Sequence, residues 1–483
     1  MKKSVKLVGL VLVLAVAYGA ASWYVGQRAQ DVIESAVQTG NQNLGRIFGA
    51  EASTQPMQLS VSRYDRGLFS SHIIYSLKIV GQGGAVTEYL LGDRLEHGPF
   101  PLSAVRQGQF APMLALSRAS LVPNAATQAW FDSHKGDKPL DITTRVGFSG
   151  AGSTQATFAP VEHTSPDGMQ VSFAGGDMTI EFSSGLDSAT TRGSFPKLQV
   201  TNTTTDESVL VDTMVFDKTY QFAATDRNHV TQFKLNVQRL GLLAEKQEVL
   251  GLSDLSVTGN SSEQNNSFDG SARYDIASVA FSGKNLGKFA AGFQVGRLDL
   301  QALGALTRQY DDILAEQGLS EDDVPQLDHN DLLRLREHLF EALKSRPSLG
   351  VDPVVWDNGD GQSQFSVKAD FVRPDIVYID APTEDILMQA IGTLDLSFSL
   401  NKSMMAKAYS QLAEDESSEA QANARARMLF DVYAGRLQRA GLAAYADGVL
   451  SSNIRYQDQQ MVVNGQALSV AEFLQRGSLL LLQ

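Results

Sequence analysis

Apolar and polar residues alternate along the middle of this chain, and that period limits what it can fold into. Met57, Leu59 and Val61 alternate with Gln58, Ser60 and Ser62. Ile73, Tyr75, Leu77 and Ile79 repeat the pattern, as do Met178, Ile180 and Phe182, and then Phe233, Leu235 and Val237. Successive strand side chains point to opposite faces, so each such segment buries one face and wets the other. A doubly wound parallel sheet needs strands apolar on both faces, so alternation points to antiparallel hairpins instead. Turn formers bound the runs at Gly83-Gly84, Pro166-Asp167-Gly168, Gly175-Gly176-Asp177 and Asp269-Gly270. A β-rich region is expected over 53–300, as one curved sheet or as two packed sheets.

Helical spacing appears in two blocks, 301–350 and 401–452. In the first, Leu303, Leu306, Tyr310 and Leu314 form a stripe that Gly318 can end. Asn330 is placed to cap a second helix with Leu332, Leu335, Leu339 and Leu343 inward. Between the blocks, 351–400 returns to strand spacing. A C-terminal hairpin and tail are expected over 453–483, where Asn464-Gly465 is a tight-turn signal.

The N-terminus reads differently. Leu7 to Val25 carries no charge, and Lys2, Lys3 and Lys6 precede it. That length spans a bilayer core, and lysines at its head place the N-terminus in the cytoplasm. The expectation is a membrane anchor over 1–25 in a single-pass inner-membrane protein whose bulk is periplasmic. Ala15-Val16-Ala17 or Gly19-Ala20-Ala21 would instead suit signal-peptide cleavage, with the same export. Over 26–52, Ala29, Val32, Ile33, Ala36, Val37 and Leu44 suggest an amphipathic stalk helix. Its apolar face could pack on its own domain or form the seam of a homodimer. The fold class is then α+β: an N-terminal transmembrane helix, followed by an extended, mostly antiparallel β-sheet region decorated with two helical blocks.

Composition excludes several functions. There is no cysteine, so disulfides and thiolate metal sites are ruled out. Acidic residues outnumber basic ones, 54 to 40, for a net charge of −14. Nucleic-acid binding needs a basic surface, and no nucleic-acid partner is expected.

Chemistry-bearing motifs are missing as well. The histidines His72, His97, His134, His163, His229, His329 and His338 form no H-x-x-x-H pair. Asp357-Asn358-Gly359-Asp360-Gly361 resembles a calcium loop, but Gln362 and Lys368 stand where that loop needs glycine and a bidentate glutamate. No nucleophile elbow, phosphate loop or dinucleotide fingerprint occurs. No catalytic residue, cofactor or metal ligand is therefore assigned.

Two segments stand out: Tyr64-Asp65-Arg66-Gly67-Leu68-Phe69-Ser70-Ser71 and His97-Gly98-Pro99-Phe100-Pro101-Leu102. With the N-terminal segment and Val463-Asn464-Gly465-Gln466, they resemble the YdgA/YihF-like family of Gram-negative envelope proteins, a domain of unknown function. The resemblance covers essentially the whole chain. It implies a periplasm-facing inner-membrane protein and supplies no catalytic residue. Read from the residues themselves, the motifs look structural: Arg66, Gly67, Phe69 and Ser70 at a bend, His97, Gly98, Pro99 and Phe100 in a stiffened corner, and Asn464 and Gly465 in a turn. The function expected is non-enzymatic binding, with a lipid in a β-sheet groove as the first candidate ligand. A scaffolding homodimer comes next, and an envelope-polymer hydrolase last.

Overall fold

In the computed structural model, the residues described are 22, 24, 30–31, 33–35, 37–38, 40–41, 57–80, 85–133, 138–165, 168–223, 228–319, 323–375, 383–413 and 418–481. The chain divides into two compact units, Met1–Gln221 and Phe222–Gln483.

The first unit is an antiparallel meander. It begins with β1 (Met57–Arg66), β2 (Ser70–Val80), β3 (Val86–His97), β4 (Ala115–Leu121), β5 (Leu140–Val146) and β6 (Gly152–Phe158). A hairpin of β7 (Val161–Thr164) and β8 (Met169–Phe173) follows, then β9 (Gly176–Phe182), β10 (Ser188–Asn202) and β11 (Glu207–Ala223). Strands β1 to β6 pair in sequence order, β6 pairs with β9, and β9 with β10. The far half of β10 pairs with β8, and its other edge with β11. One face of β2–β4 buries Ile73, Leu95 and Ala115, as the alternation requires.

Three of the described helical residues between 22 and 41 make contacts with this unit. Ile33 packs against Ile73, Leu95 and Ala115. The Ser22 hydroxyl is buried and donates to the Gly98 carbonyl at 2.7 Å, and the Asn41 amide pairs with both backbone groups of Leu59. These contacts correct the expectation of a transmembrane helix. Among the described residues no helix is long and apolar enough to cross a membrane, and residues 1–21, which carry most of the anchor reading, lie outside those described. The single-pass inner-membrane placement is withdrawn with it. The fold class is corrected to mostly antiparallel sheet with helices appended.

The second unit repeats the meander with longer strands. Its first four are β12 (Asn228–Ala244), β13 (Gln247–Gln264), β14 (Ser267–Phe281) and β15 (Lys284–Asp299). After two helices come β16 (Ser348–Asp357), β17 (Gln362–Phe371) and β18 (Ile391–Asn401). The last four are β19 (Ala444–Ala446), β20 (Val449–Gln457), β21 (Gln460–Val463) and β22 (Gln466–Ser469). Strands β12 to β18 pair in order, β18 pairs with β20, and β20 then carries β19 and β21 on its other edge.

Two-residue turns with positive φ at both positions set these registers. They are Glu245-Lys246, Asn265-Asn266, Ser282-Gly283, Asp447-Gly448, Asp458-Gln459 and Asn464-Gly465. Their twist matches that of the flanking strands, which is why hairpins use them. Four of the six contain asparagine or glycine, which favour left-handed backbone, whereas Glu245-Lys246 and Asp458-Gln459 contain neither.

Helices Leu300–Glu316 and His329–Leu343 fill the first helical block. Asp299 caps the former, and Asp328 with Asp331 forms a capping box for the latter, so Asn330 is not the cap. Helices Lys402–Leu412 and Glu419–Arg439 are capped by Asn401 and Ser418. Their buried Ala406, Ala408, Ala422 and Ala426 suit close helix packing. Strands re-enter at Ala444, within the range read as helical, and a helix, Val470–Leu481, follows β22.

The loop that resembled a calcium site joins β16 to β17. Its oxygens hold a side-chain cation: the Lys407 ammonium lies 3.1 Å from the Asn358 carbonyl and 3.2 Å from the Asp360 carboxylate.

Candidate functional site

The two N-terminal motifs meet at the ends of β1–β4. Gly67 opens the turn between β1 and β2, its amide donating to the Ser70 carbonyl at 2.9 Å. It has no positive φ, so the bend does not come from left-handed backbone. Glycine is needed because a Cβ there would sit 2.7 Å from the Ser70 carbonyl oxygen. Arg66, Leu68 and Phe69 remain exposed around this turn.

His97, at the end of β3, ties the turn down. Its amide donates to the Phe69 carbonyl at 2.9 Å. Its ring reaches Ser71 Oγ through Nε2 at 2.9 Å and the Leu68 carbonyl through Nδ1 at 3.3 Å. A carbonyl can only accept, so Nδ1 carries the proton and Nε2 accepts from the Ser71 hydroxyl. Ser71 is 0% exposed and His97 1%. Burial lowers the His97 pKa, the Leu68 bond opposes this, and nearby Arg66 adds to the lowering. The ring is held neutral.

The second motif continues the clamp. The Gly98–Pro99 peptide is cis. The Gly98 amide donates to the Leu114 carbonyl at 2.8 Å, and the Met113 amide to the Pro99 carbonyl at 3.0 Å. A Cβ on Gly98 would overlap the Met113 carbonyl oxygen, so only glycine allows this approach. Pro101 opens the short helix Leu102–Arg106, whose Ser103 amide donates to the Glu96 carboxylate at 2.9 Å. Phe100 is exposed.

A second polar group lies under the same face. Asp93, 5% exposed, accepts from Ser117 at 2.8 Å and from the Tyr75 hydroxyl at 3.4 Å. Burial raises the Asp93 pKa against these bonds, and burial beside Asp93 raises that of Tyr75.

A serine and a histidine in hydrogen-bond reach are the parts of a nucleophile and its base. Here the orienting partner of the ring is a main-chain carbonyl, Asp93 is engaged elsewhere, and the hydroxyl has no access to solvent. The geometry is that of a structural tie between the two motifs. Asn464 and Gly465 belong to the second unit, where they form the β21–β22 turn. There the Asn464 side chain also accepts from the Asn453 amide at 2.9 Å.

The sequence names no residues for the β-sheet groove expected of it. On one face of β12–β15, Phe233, Gly259, Ala272 and Phe293 stand in one transverse row. Gly270 lies one step along, with the Phe268 ring leaning over it. The result is an apolar trough of about 380 Å³. A second apolar cleft, of about 440 Å³, lies among Leu306, Tyr310, Leu332, Leu335, Leu339 and Ile386. The stripe residues around this gap are half-buried, whereas Leu314 and Leu343 are buried and Leu303 is exposed. Alternation shows which residues share a face but not which lie side by side, since strand register places them.

The chain is similar to several known proteins. Protein YdgA of Escherichia coli K12 is 24% identical, covering 98% of this chain and 96% of that protein. The uncharacterized protein YihF of the same strain is 23% identical, covering 97% of each. An uncharacterized Haemophilus influenzae protein is 30% identical over 33% of this chain and 42% of its own length. No solved structure matches. The family model described as bacterial protein of unknown function (DUF945) matches residues 1–471, so the chain, with both motifs inside that span, belongs to this family.

Proposed function

We propose that this protein is a non-enzymatic binding protein whose second unit holds a linear apolar chain, such as the acyl chain of a lipid. The trough on β12–β15 carries the reading. Phe233 and Phe293 wall it three strand spacings apart, roughly 14 Å. Its floor is Gly259 and Ala272, which leave unfilled the volume that larger side chains would occupy, and beside them the Phe268 ring covers Gly270. Its size falls within the ~300–1,000 Å³ of small-molecule sites, whereas a protein partner needs a broad surface of about 800 Å² per side. Phe293 is 45% exposed, so the wall is open to a ligand.

The test is titration of the full-length protein with a fluorescent fatty acid, cis-parinaric acid, beside the Ala272→Phe variant. Phenylalanine at 272 fills the floor and leaves the walls in place. Saturable binding by the wild type, weakened at least tenfold in the variant with an unchanged circular dichroism spectrum, supports the reading. Equal binding by both proteins, or none by the wild type, refutes it.

A further inference from the structure

We infer that the open face of β1–β5, opposite the helix-covered one, is an anion-binding site for a phosphate group. His72 on β2 stands directly across from Arg94 on β3, and Arg94 directly across from Arg118 on β4. His72, Arg94 and Arg118 thus form one transverse row on adjacent strands, ended on β1 by Asp65 across from His72. Directly opposed residues have Cβ atoms about 5 Å apart, and like charges in that relation repel. A meander free to choose its surface residues would alternate signs here, as it does where Arg192 faces Asp217 at 3.0 Å.

No carboxylate separates the two guanidiniums. Among the described residues, the one carboxylate paired with Arg94 is Glu96, at a long 3.9 Å, and no ion pair is found for Arg118. Beside this row the strands carry Ile74, Gly92, Ser120 and Asp141, also in register. Ser120 and Gly92, the latter close under the Val122 side chain, line with the arginines a polar cleft of about 430 Å³. Lys138 and Arg63 stand on its rim, paired with Asp141 at 3.5 Å and Asp65 at 2.6 Å. In a chain of net charge −14, this cleft is lined by four cations and His72 against two carboxylates, Asp65 and Asp93.

Two arginines converging on one hollow match the tetrahedral oxygens of phosphate. Each guanidinium can donate two parallel hydrogen bonds, and the bound anion removes the repulsion between them. Lys138 can supply a further charge from the rim. The site lies in the first unit and stands independently of the apolar trough proposed for the second.

Isothermal titration of the full-length protein at low ionic strength tests this with two soluble probes, glycerol 3-phosphate and dioctanoyl phosphatidic acid. Arg94→Gln, Arg118→Gln and their double variant are titrated alongside. Lys368→Gln, in the second unit, is the control. Binding of either probe that falls about tenfold in each single variant, and not in the control, bears the proposal out. Equal affinity for both probes assigns a free phosphate monoester, and tighter binding of the lipid assigns a lipid phosphate. Thermal unfolding adds a second readout: phosphate raises the wild-type Tm and leaves that of the double variant unchanged. Removing a like-charge pair favours folding, so the variants remain testable. The proposal is overturned if neither probe binds at millimolar concentration, or if the double variant binds as the wild type does.

Discussion

Removing the His97 ring tests the clamp that joins the two motifs. In His97→Ala the Ser71 hydroxyl, fully buried, loses its acceptor, which costs about 1–3 kcal/mol. The lost ring also leaves a cavity, adding roughly 2 kcal/mol. The Leu68 carbonyl contributes little, since the turn around it is exposed. The single variant should therefore lose about 3–5 kcal/mol. Ser71→Ala leaves the ring nitrogen without its donor and should cost about 1–2 kcal/mol. In the double variant no orphaned hydroxyl remains, so the sum of the singles should exceed the double by about 1–2 kcal/mol. Native-state hydrogen exchange at the amides of β2 and β3 reads this unit without the other.

A pH series sharpens the test. Burial holds the folded His97 pKa below its ordinary 6.5, so the unfolded state takes the proton first as pH falls. The contribution of the neutral ring is complete above about pH 6.5 and declines below it. The gap between wild type and His97→Ala should narrow over that range. Asp93 acts with the opposite sign, because burial raises its folded pKa and its cost grows as pH rises from about 3.8. It is common to both proteins and cancels in the difference. Additivity within about 0.5 kcal/mol, together with a gap that does not change with pH, would refute the clamp.

Gly98→Ala must push a methyl into the Met113 carbonyl and should cost about 3 kcal/mol or more, read as a lower urea midpoint. Gly465→Val forces a β-branched residue to φ near 83° and should lose about 1–2 kcal/mol, with exchange rising at β21 and β22. Lys407→Met removes the ammonium from the Asp360 loop. Calcium should then raise the Tm of the variant more than that of the wild type, and no difference would show that the lysine does not occupy a cation position.

Much of the architecture was legible in the residues. The alternation of Ile73, Tyr75 and Leu77 requires a sheet with one buried face, and the Leu303 and Leu332 stripes require helices in the second unit. Asn464-Gly465 announces its own turn, because both residues tolerate left-handed backbone. Glu245-Lys246 and Asp458-Gln459 do not, and there the long-range pairing of the strands imposes the conformation.

The N-terminal segment shows a different limit. Its apolar run reads as a bilayer anchor, yet Ser22 and Ile33 are spent on the sheet face and on Gly98, contacts that hydropathy cannot register. Sequence alone determined strand period, helix stripes and the two motifs, because these depend on neighbours a few residues apart. Tertiary structure alone decided that His97 meets Ser71, that Arg94 faces Arg118, and that Phe233 and Phe293 wall a trough floored by small residues. Each of those pairs is joined by strand register, which is settled by hydrogen bonds and turns across the whole sheet and leaves no mark in the local sequence.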